Sequence, residues 1–166
     1  MNGDSKGESE NNRIFVYGTL RSDIGSRMSE YLLRNSTFLG AGTIRGEMYD
    51  FGSYPGVFDH EYADGLIVGE VYSIRGDAAS EVWIELDRYE GCSAEDAEPQ
   101  LYRRRLLPVD MPNSSIEAWV YVLPLRPYGP TRIPHGDYAV WLRERYATQQ
   151  GGAELEHLHN GGNSAS

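Results

Sequence analysis

The sequence predicts an α+β domain in which mostly antiparallel strands are covered by a few helices, in the manner of a small barrel packed by helices. Three observations carry this expectation. Short stretches rich in β-branched and aromatic residues recur along the chain and are separated by turns containing Gly or Pro. One of them, Ala118-Trp119-Val120-Tyr121-Val122, is apolar on both faces, which suits a strand covered on both sides. Helical signals are confined to a few stretches, so helices flank the strands rather than form the core.

Taken in order, Arg13 to Tyr17 reads as a short strand that stops at Gly18-Thr19, and Met28 to Asn35 reads as a helix. Phe38 to Asp50 and Leu66 to Ile74 are interrupted by Gly yet keep the β-type residues of long, bent strands. Between them Gly52-Ser53-Tyr54-Pro55-Gly56 makes a turn. A helix is expected from about Ala78 to Tyr89, with Asp77 available as its N-cap. Leu101 to Val109 and Ile116 to Leu123 form a hairpin around Met111-Pro112-Asn113, and a last helix capped by Asp137 covers about Tyr138 to Tyr146. Residues 1–12 are polar and without periodicity, and residues 149–166 are rich in Gly, Asn, Ser and Gln. These ends are expected to be flexible tails around an ordered domain of residues 13–148.

The 166 residues carry 15 Lys and Arg against 25 Asp and Glu, a formal net charge of −10, with 40% hydrophobic residues. That much apolar material supports a real core and argues against wholesale disorder. The acidic balance opposes binding to nucleic acid or to an anionic membrane, both of which need clustered cations. A single cysteine, Cys92, excludes an intramolecular disulfide, a Cys-x-x-Cys pair and a cysteine-rich zinc site. With no leader-like start and no run near the roughly 20 apolar residues of a membrane span, a cytoplasmic protein is expected. No metal site is expected either: His157 and His159 lie two apart with only Glu154 and Glu156 nearby, short of a folded set of ligands.

The most informative helix is the one at residues 78–89. At about 100° per residue, Ala79, Val82, Trp83 and Leu86 share a stripe that faces the core, and Glu90 returns to about 20° from Ala79 if the helix continues that far. Glu81, Glu85 and Arg88 point elsewhere. A carboxylate on an apolar face is either paired with a cation or carries a raised pKa, and the second state is what a general acid/base near neutrality requires. The alternative is a Glu at a helix end, exposed or paired with Arg103, Arg104 or Arg105. Gly91 favours a helix stop there, where cavities often open.

The second candidate is Tyr17-Gly18-Thr19-Leu20, where a strand ends and a Gly opens a turn. Successive N–H groups at such a bend form an anion-binding concavity or an oxyanion hole, although most strand ends with Gly are simple turns. The Arg103-Arg104-Arg105 run alternates between faces if it is a strand, giving one inward ion-pair partner and solvated neighbours. His60 and His135 fall in turn-like contexts and read as solvent-exposed, and Cys92 has no neighbouring His to activate it. There is no Gly-x-Ser-x-Gly elbow and no phosphate-binding Gly-Lys loop.

Together the segments Phe15-Val16-Tyr17-Gly18-Thr19-Leu20-Arg21, Gly46 to Gly56, Gly69-Glu70-Val71-Tyr72, Leu86-Asp87-Arg88-Tyr89-Glu90-Gly91, Tyr102-Arg103-Arg104 and Ala118-Trp119-Val120-Tyr121 resemble the gamma-glutamylcyclotransferase-like family, especially its gamma-glutamylamine cyclotransferase and related bacterial branch. They occur in the family's order over about residues 13–146. The resemblance implies a small mixed, mostly antiparallel β-barrel flanked by a few helices. It implies a pocket lined by Tyr17, Gly18, Thr19 and Leu20, with Glu90 as the acid/base. The chemistry implied is attack of a gamma-glutamyl substrate's α-amine on its own γ-carbonyl, releasing 5-oxoproline and an amine without a cofactor. The acidic stretch from Cys92 to Gln100 departs from a tight turn and is expected to shape the pocket mouth, with Tyr128 a candidate for its rim. Two other classes remain open at this point: a catalytically silent small-molecule binding or sensor module of the same fold, and an interaction protein that uses its acidic surface. Neither the leaving amine nor the oligomeric state is specified by these residues.

Overall fold

The computed structural model describes residues 11–93 and 100–161, the last eleven of these by backbone alone. Five strands close into a barrel in the order β1-β5-β2-β6-β7: β1 (Arg13–Val16), β2 (Ser36–Arg45), β5 (Leu66–Ile74), β6 (Arg103–Met111) and β7 (Ser114–Val122). Every pairing is antiparallel except β1 with β7, where Ile14 meets Trp119 in a parallel register and closes the barrel. A second sheet, in the order β4-β3-β8, is formed by β3 (Glu47–Asp50), β4 (Pro55–Phe58) and β8 (Thr131–Ile133). Three helices complete the chain: α1 (Arg27–Arg34), α2 (Ala79–Tyr89) and α3 (Tyr138–Gly161).

Period-two alternation distributes the apolar residues of the barrel strands between two cores. Phe15 and Tyr17 join Val71, Val109, Ala118, Val120 and Val122 in one cluster. Ile14 and Val16 join Tyr72, Ile74 and Tyr121 in the other, which is covered by Leu32 of α1 and by Ala79, Val82 and Leu86 of α2. The stripe expected on α2 therefore faces the core, with Trp83 partly buried beside it. The doubly apolar β7 is buried on both faces for the same reason: one of its faces lines the barrel and the other meets helices.

Several boundaries differ from the sequence expectation. The stretch Phe38 to Asp50 is two strands in two sheets, broken at Gly46, whose N–H donates to the Gly65 carbonyl. The predicted turn at residues 52–56 ends inside β4, and the three-residue β8 is too short to leave a periodic signal. The hairpin strands are displaced toward its turn, to Arg103–Met111 and Ser114–Val122. Asp77 does not cap α2. The turn closed by Ala78 N–H on the Arg75 carbonyl has already brought Ala78 into a helical conformation, and Asp77 stays exposed, 3.8 Å from Arg75. At the other end of the chain Asp137 does cap α3, its Oδ1 accepting from Val140 N–H at 3.2 Å. The α3 backbone continues to Gly161, past Tyr146 and into the segment read as a tail. The side chains of His157 and His159, residues 94–99 of the acidic stretch, and residues 1–10 and 162–166 lie outside the described residues. Among the described residues no helix is long and apolar enough to cross a membrane.

The end of α2 is fixed by a Schellman motif. Cys92 N–H donates to the Asp87 carbonyl at 3.0 Å and Gly91 N–H to the Arg88 carbonyl at 3.3 Å, with Gly91 at φ +67°. Glu90 is thus the C-cap residue, held between the last helical turn and a left-handed glycine. A Cβ at position 91 would enter a disfavoured conformation and meet the Leu101 Cβ at 3.2 Å. Gly91→Ala is expected to lower stability by about 1–2 kcal/mol, measured by urea unfolding with an unchanged m-value.

Candidate active site

Where β1 ends, the chain turns through Gly18 to Arg21, closed by Arg21 N–H on the Gly18 carbonyl at 3.0 Å. This bond engages the N–H of Arg21 and leaves those of Thr19 and Leu20 outside the turn's own hydrogen bonding. Gly18 is required by packing: a Cβ there would lie 2.6 Å from the Pro55 ring. The turn is anchored from three sides. Ser26, the N-cap of α1, donates its hydroxyl to the Thr19 carbonyl at 2.5 Å. Ser22 donates its N–H and hydroxyl to the two carboxylate oxygens of Glu70 on β5, each at 2.7 Å. Arg21, itself buried, pairs with Asp23 at 2.7 Å and with the α3 cap Asp137 at 3.0 Å. Burial opposes the Arg21 charge, and these two carboxylates outweigh it, so its pKa is raised.

Facing the turn is the C-terminal end of α2. Between them lies a cavity of about 290 Å³, lined by Tyr17, Gly18, Thr19 and Leu20 on one side, by Tyr89 and Glu90 on the other, and by Pro55 of β4, Tyr102 just before β6 and Tyr121 of β7. All five residues singled out in the sequence therefore border one cavity. Thr19 Oγ1 and the Tyr89 hydroxyl are 2.9 Å apart and bridge the two walls.

Two buried tyrosines build the floor. The Tyr17 hydroxyl donates to the Tyr121 carbonyl at 2.6 Å and accepts from Val57 N–H at 3.3 Å. The Tyr102 hydroxyl donates to the Pro55 carbonyl at 2.5 Å. Desolvation raises both phenol pKa values, and the nearby Glu90 carboxyl adds to the shift in each, so both remain neutral donors. Tyr54, Pro55, Tyr89, Leu101 and Tyr102 were not identified as site residues from sequence. Tyr54, Pro55, Tyr89 and Tyr102 do stand inside the motif segments, and that was the available signal.

Glu90 keeps part of its surface open to the cavity while protein surrounds its carboxyl on the other sides. Burial pushes its pKa up to about 8. Among the described residues no cation pairs with it, so the Arg-paired alternative is corrected. Arg104 instead contacts Asp87 at 3.4 Å and stacks on Trp83 and Trp119, at 4.5 and 5.4 Å from the ring centroids, while Arg105 pairs with Asp59 on the opposite face at 2.5 Å. The alternation expected for the Arg run is present. Asp87, next on α2, also accepts the Tyr121 hydroxyl at 2.7 Å, so the base of α2 is tied to β6 and β7.

The remaining candidates lie elsewhere. Cys92 is half-buried with Sγ 3.9 Å from Asp87 and does not border the cavity. His135 is exposed beside Glu144, His60 is half-buried with Nδ1 accepting from Tyr62 N–H, and neither borders it. Tyr128 is fully exposed and not part of its rim. Among the described residues no group of three or more His, Cys, Asp or Glu is arranged to hold a metal.

The model of the family described as gamma-glutamyl cyclotransferase, AIG2-like, matches residues 14–140. The chain belongs to this family. It is similar to YkqA from Bacillus subtilis, with 25% identity and a TM-score of 0.57 over 78% of this chain and 40% of that one, so it spans less than half of YkqA. It is also similar to protein ytfP from Escherichia coli, with 32% identity and a TM-score of 0.51 over 76% and 95% of the two chains. An AIG2-like protein from Mus musculus, at 24% identity and a TM-score of 0.56 over 76% and 87%, shares the fold. No curated protein matches the chain.

The Glu90 shift has a measurable consequence for stability. A carboxyl whose folded pKa is about 8 and whose ordinary value is 4.5 holds its proton in the folded protein between those pH values and loses it in the unfolded chain. Stability linked to Glu90 is therefore fully present below about pH 4.5 and is lost as pH rises through 8. Each unit of that shift corresponds to about 1.4 kcal/mol of stability lost across this range. Glu90→Gln should remove this slope, seen as wild-type and variant melting temperatures that diverge on going from about pH 5 to about pH 9.

Proposed function

We propose that the chain is a cofactor-independent gamma-glutamyl cyclotransferase in which Glu90 is the acid/base and the Tyr17-Gly18-Thr19-Leu20 turn binds the substrate. The observation that carries this reading is the placement of the Glu90 carboxyl across a small cavity from a turn whose Thr19 and Leu20 N–H groups lie outside the turn's own hydrogen bond. Family membership supports the reaction class.

A gamma-glutamyl compound held in a folded conformation brings its α-nitrogen against its γ-carbonyl carbon, so much of the acceleration is orientation. Its α-ammonium must first lose a proton. The ionised form of Glu90 takes it, and the cation in turn favours that ionised form. The nitrogen then attacks, a C–N bond closes the five-membered ring, and the γ-oxygen becomes an oxyanion. The ring nitrogen now carries one surplus proton and the departing nitrogen lacks one. Protonated Glu90 supplies the departing nitrogen and recovers the surplus proton, and the second C–N bond breaks to give 5-oxoproline and the free amine. The N–H groups of Thr19 and Leu20 serve the substrate α-carboxylate or the oxyanion. The neutral Tyr17 and Tyr102 phenols keep the floor free of further negative charge. The reading takes the cytoplasm as the compartment, on the expectation set by its single cysteine.

Glu90→Gln keeps the size of the side chain and removes the relay. It is expected to fold and to lower kcat at least about a hundredfold on gamma-glutamyl amides, with 5-oxoproline followed by mass spectrometry. In the wild type, kcat/KM is expected to rise with pH to a limb near 8, the pKa of free Glu90, and the kcat limb should sit lower because bound ammonium favours the carboxylate. Full activity in Glu90→Gln would remove it from the mechanism. Ligand-induced stabilisation without any product would favour the binding-module reading instead.

A further inference from the structure

The cavity divides by exposure. Its floor is deeply buried: Phe15, Tyr17, Leu20, Tyr102 and Tyr121 are each at most 7% exposed. Tyr89 and Leu101, in contrast, are each 43% exposed while bordering the same space, and so mark its mouth. Tyr54, half-buried, stands with them and is itself backed by Phe51, the two rings stacked at 5.5 Å with 8° between their planes. Tyr54 also meets the Tyr102 ring edge-on at 6.4 Å, which fixes its orientation toward the floor. Tyr89 is held by the bond between its hydroxyl and Thr19. Among the described residues, no Lys, Arg or His lines any part of the cavity, and Glu90 is its one ionisable carboxyl.

If the glutamyl unit occupies the floor, with its charged groups at Glu90 and the turn, then the atoms beyond the scissile nitrogen leave through the mouth. That region offers two tyrosine rings and a leucine and, among the described residues, no cation for a carboxylate. A carboxylate there would gain no ion pair and would be repelled by Glu90 in its ionised form. A flat apolar group would cover surface that is otherwise in water and would meet ring faces in the geometry aromatic pairs prefer.

Resting on the reading of Glu90 above, we infer that Tyr54, Tyr89 and Leu101 form a leaving-group site for an arylalkylamine, making the preferred substrates gamma-glutamyl arylalkylamides. The reaction balance is unchanged by this assignment. The α-nitrogen bonds to the γ-carbon, the bond from that carbon to the arylalkyl nitrogen breaks, and that nitrogen departs with the proton Glu90 delivers, with no oxidation or reduction.

The test compares kcat/KM of the full chain on three probes, gamma-glutamyl phenethylamide, gamma-glutamyl n-butylamide and gamma-glutamylglycine, in the wild type and in Tyr89→Ala and Leu101→Ala. The expected order is phenethylamide above butylamide by about tenfold or more, with the glycine conjugate lowest. Each variant should reduce the ratio of phenethylamide to butylamide severalfold. That ratio, measured on one preparation, is insensitive to how much of a variant folds. Butylamide equal to phenethylamide would show an aliphatic site, and gamma-glutamylglycine as the best probe would show a carboxylate receptor; either overturns the inference and leaves the cyclotransferase reading standing. No 5-oxoproline from any probe, with folded wild-type protein, would overturn both.

Discussion

One buried hydroxyl holds the barrel, the small sheet and the cavity together. Tyr17 leaves the end of β1, donates to the Tyr121 carbonyl of β7 and accepts from Val57 of β4, so its oxygen is shared by three strands in two sheets. A buried hydroxyl without partners costs free energy, and this one is satisfied in both its roles only if β4 sits where it does. That placement brings Pro55 against Gly18, where no side chain larger than hydrogen fits, and brings the Pro55 carbonyl to the Tyr102 hydroxyl. The cavity is what remains between these constraints and the end of α2.

Glu90 owes its character to two features that the chain supplies separately. The helix stripe of α2 aims the residue toward the barrel, and the Schellman turn at Gly91 ends the helix before the next residue is carried away. The positive ends of the neighbouring network are meanwhile consumed elsewhere: Arg104 by Asp87 and two indoles, Arg105 by Asp59, and Arg21 by Asp23 and Asp137. The acidic surplus of the chain thus coexists with a carboxyl that, among the described residues, has no cation beside it.

Which parts of this were legible in the sequence follows from the range of the interactions involved. The α2 stripe, the Asp137 cap and the doubly apolar β7 are local or periodic properties, and they read correctly from residue types alone, whereas periodicity left Glu90 open between an inward carboxyl and a helix-end residue. The break at Gly46 did not, because side-chain alternation runs through it and only the hydrogen bond to Gly65 shows that the chain changes sheets. Asp77 failed as a cap because a turn begun at Arg75 had already set the backbone. The far walls of the cavity were invisible for another reason. Tyr17 meets Tyr121 across 104 positions and Tyr102 meets Pro55 across 47, and no spacing rule spans such distances. The motif resemblance was what drew Tyr102 and Pro55 into view, without assigning them a place.

The way the walls are distributed along the chain has a consequence for divergence. Glu90 and the turn at Gly18 are each locked by caps, ion pairs and a close glycine contact, so few substitutions there leave the backbone where it is. Tyr54 and Leu101 sit instead on connecting segments outside the strands and helices. Connecting segments tolerate exchange far better than the elements they join. The two halves of the cavity are therefore under unequal physical constraint, and an exchange of side chain at Tyr54 or Leu101 reshapes the mouth while leaving the backbone at Glu90 and the Gly18 turn where it is.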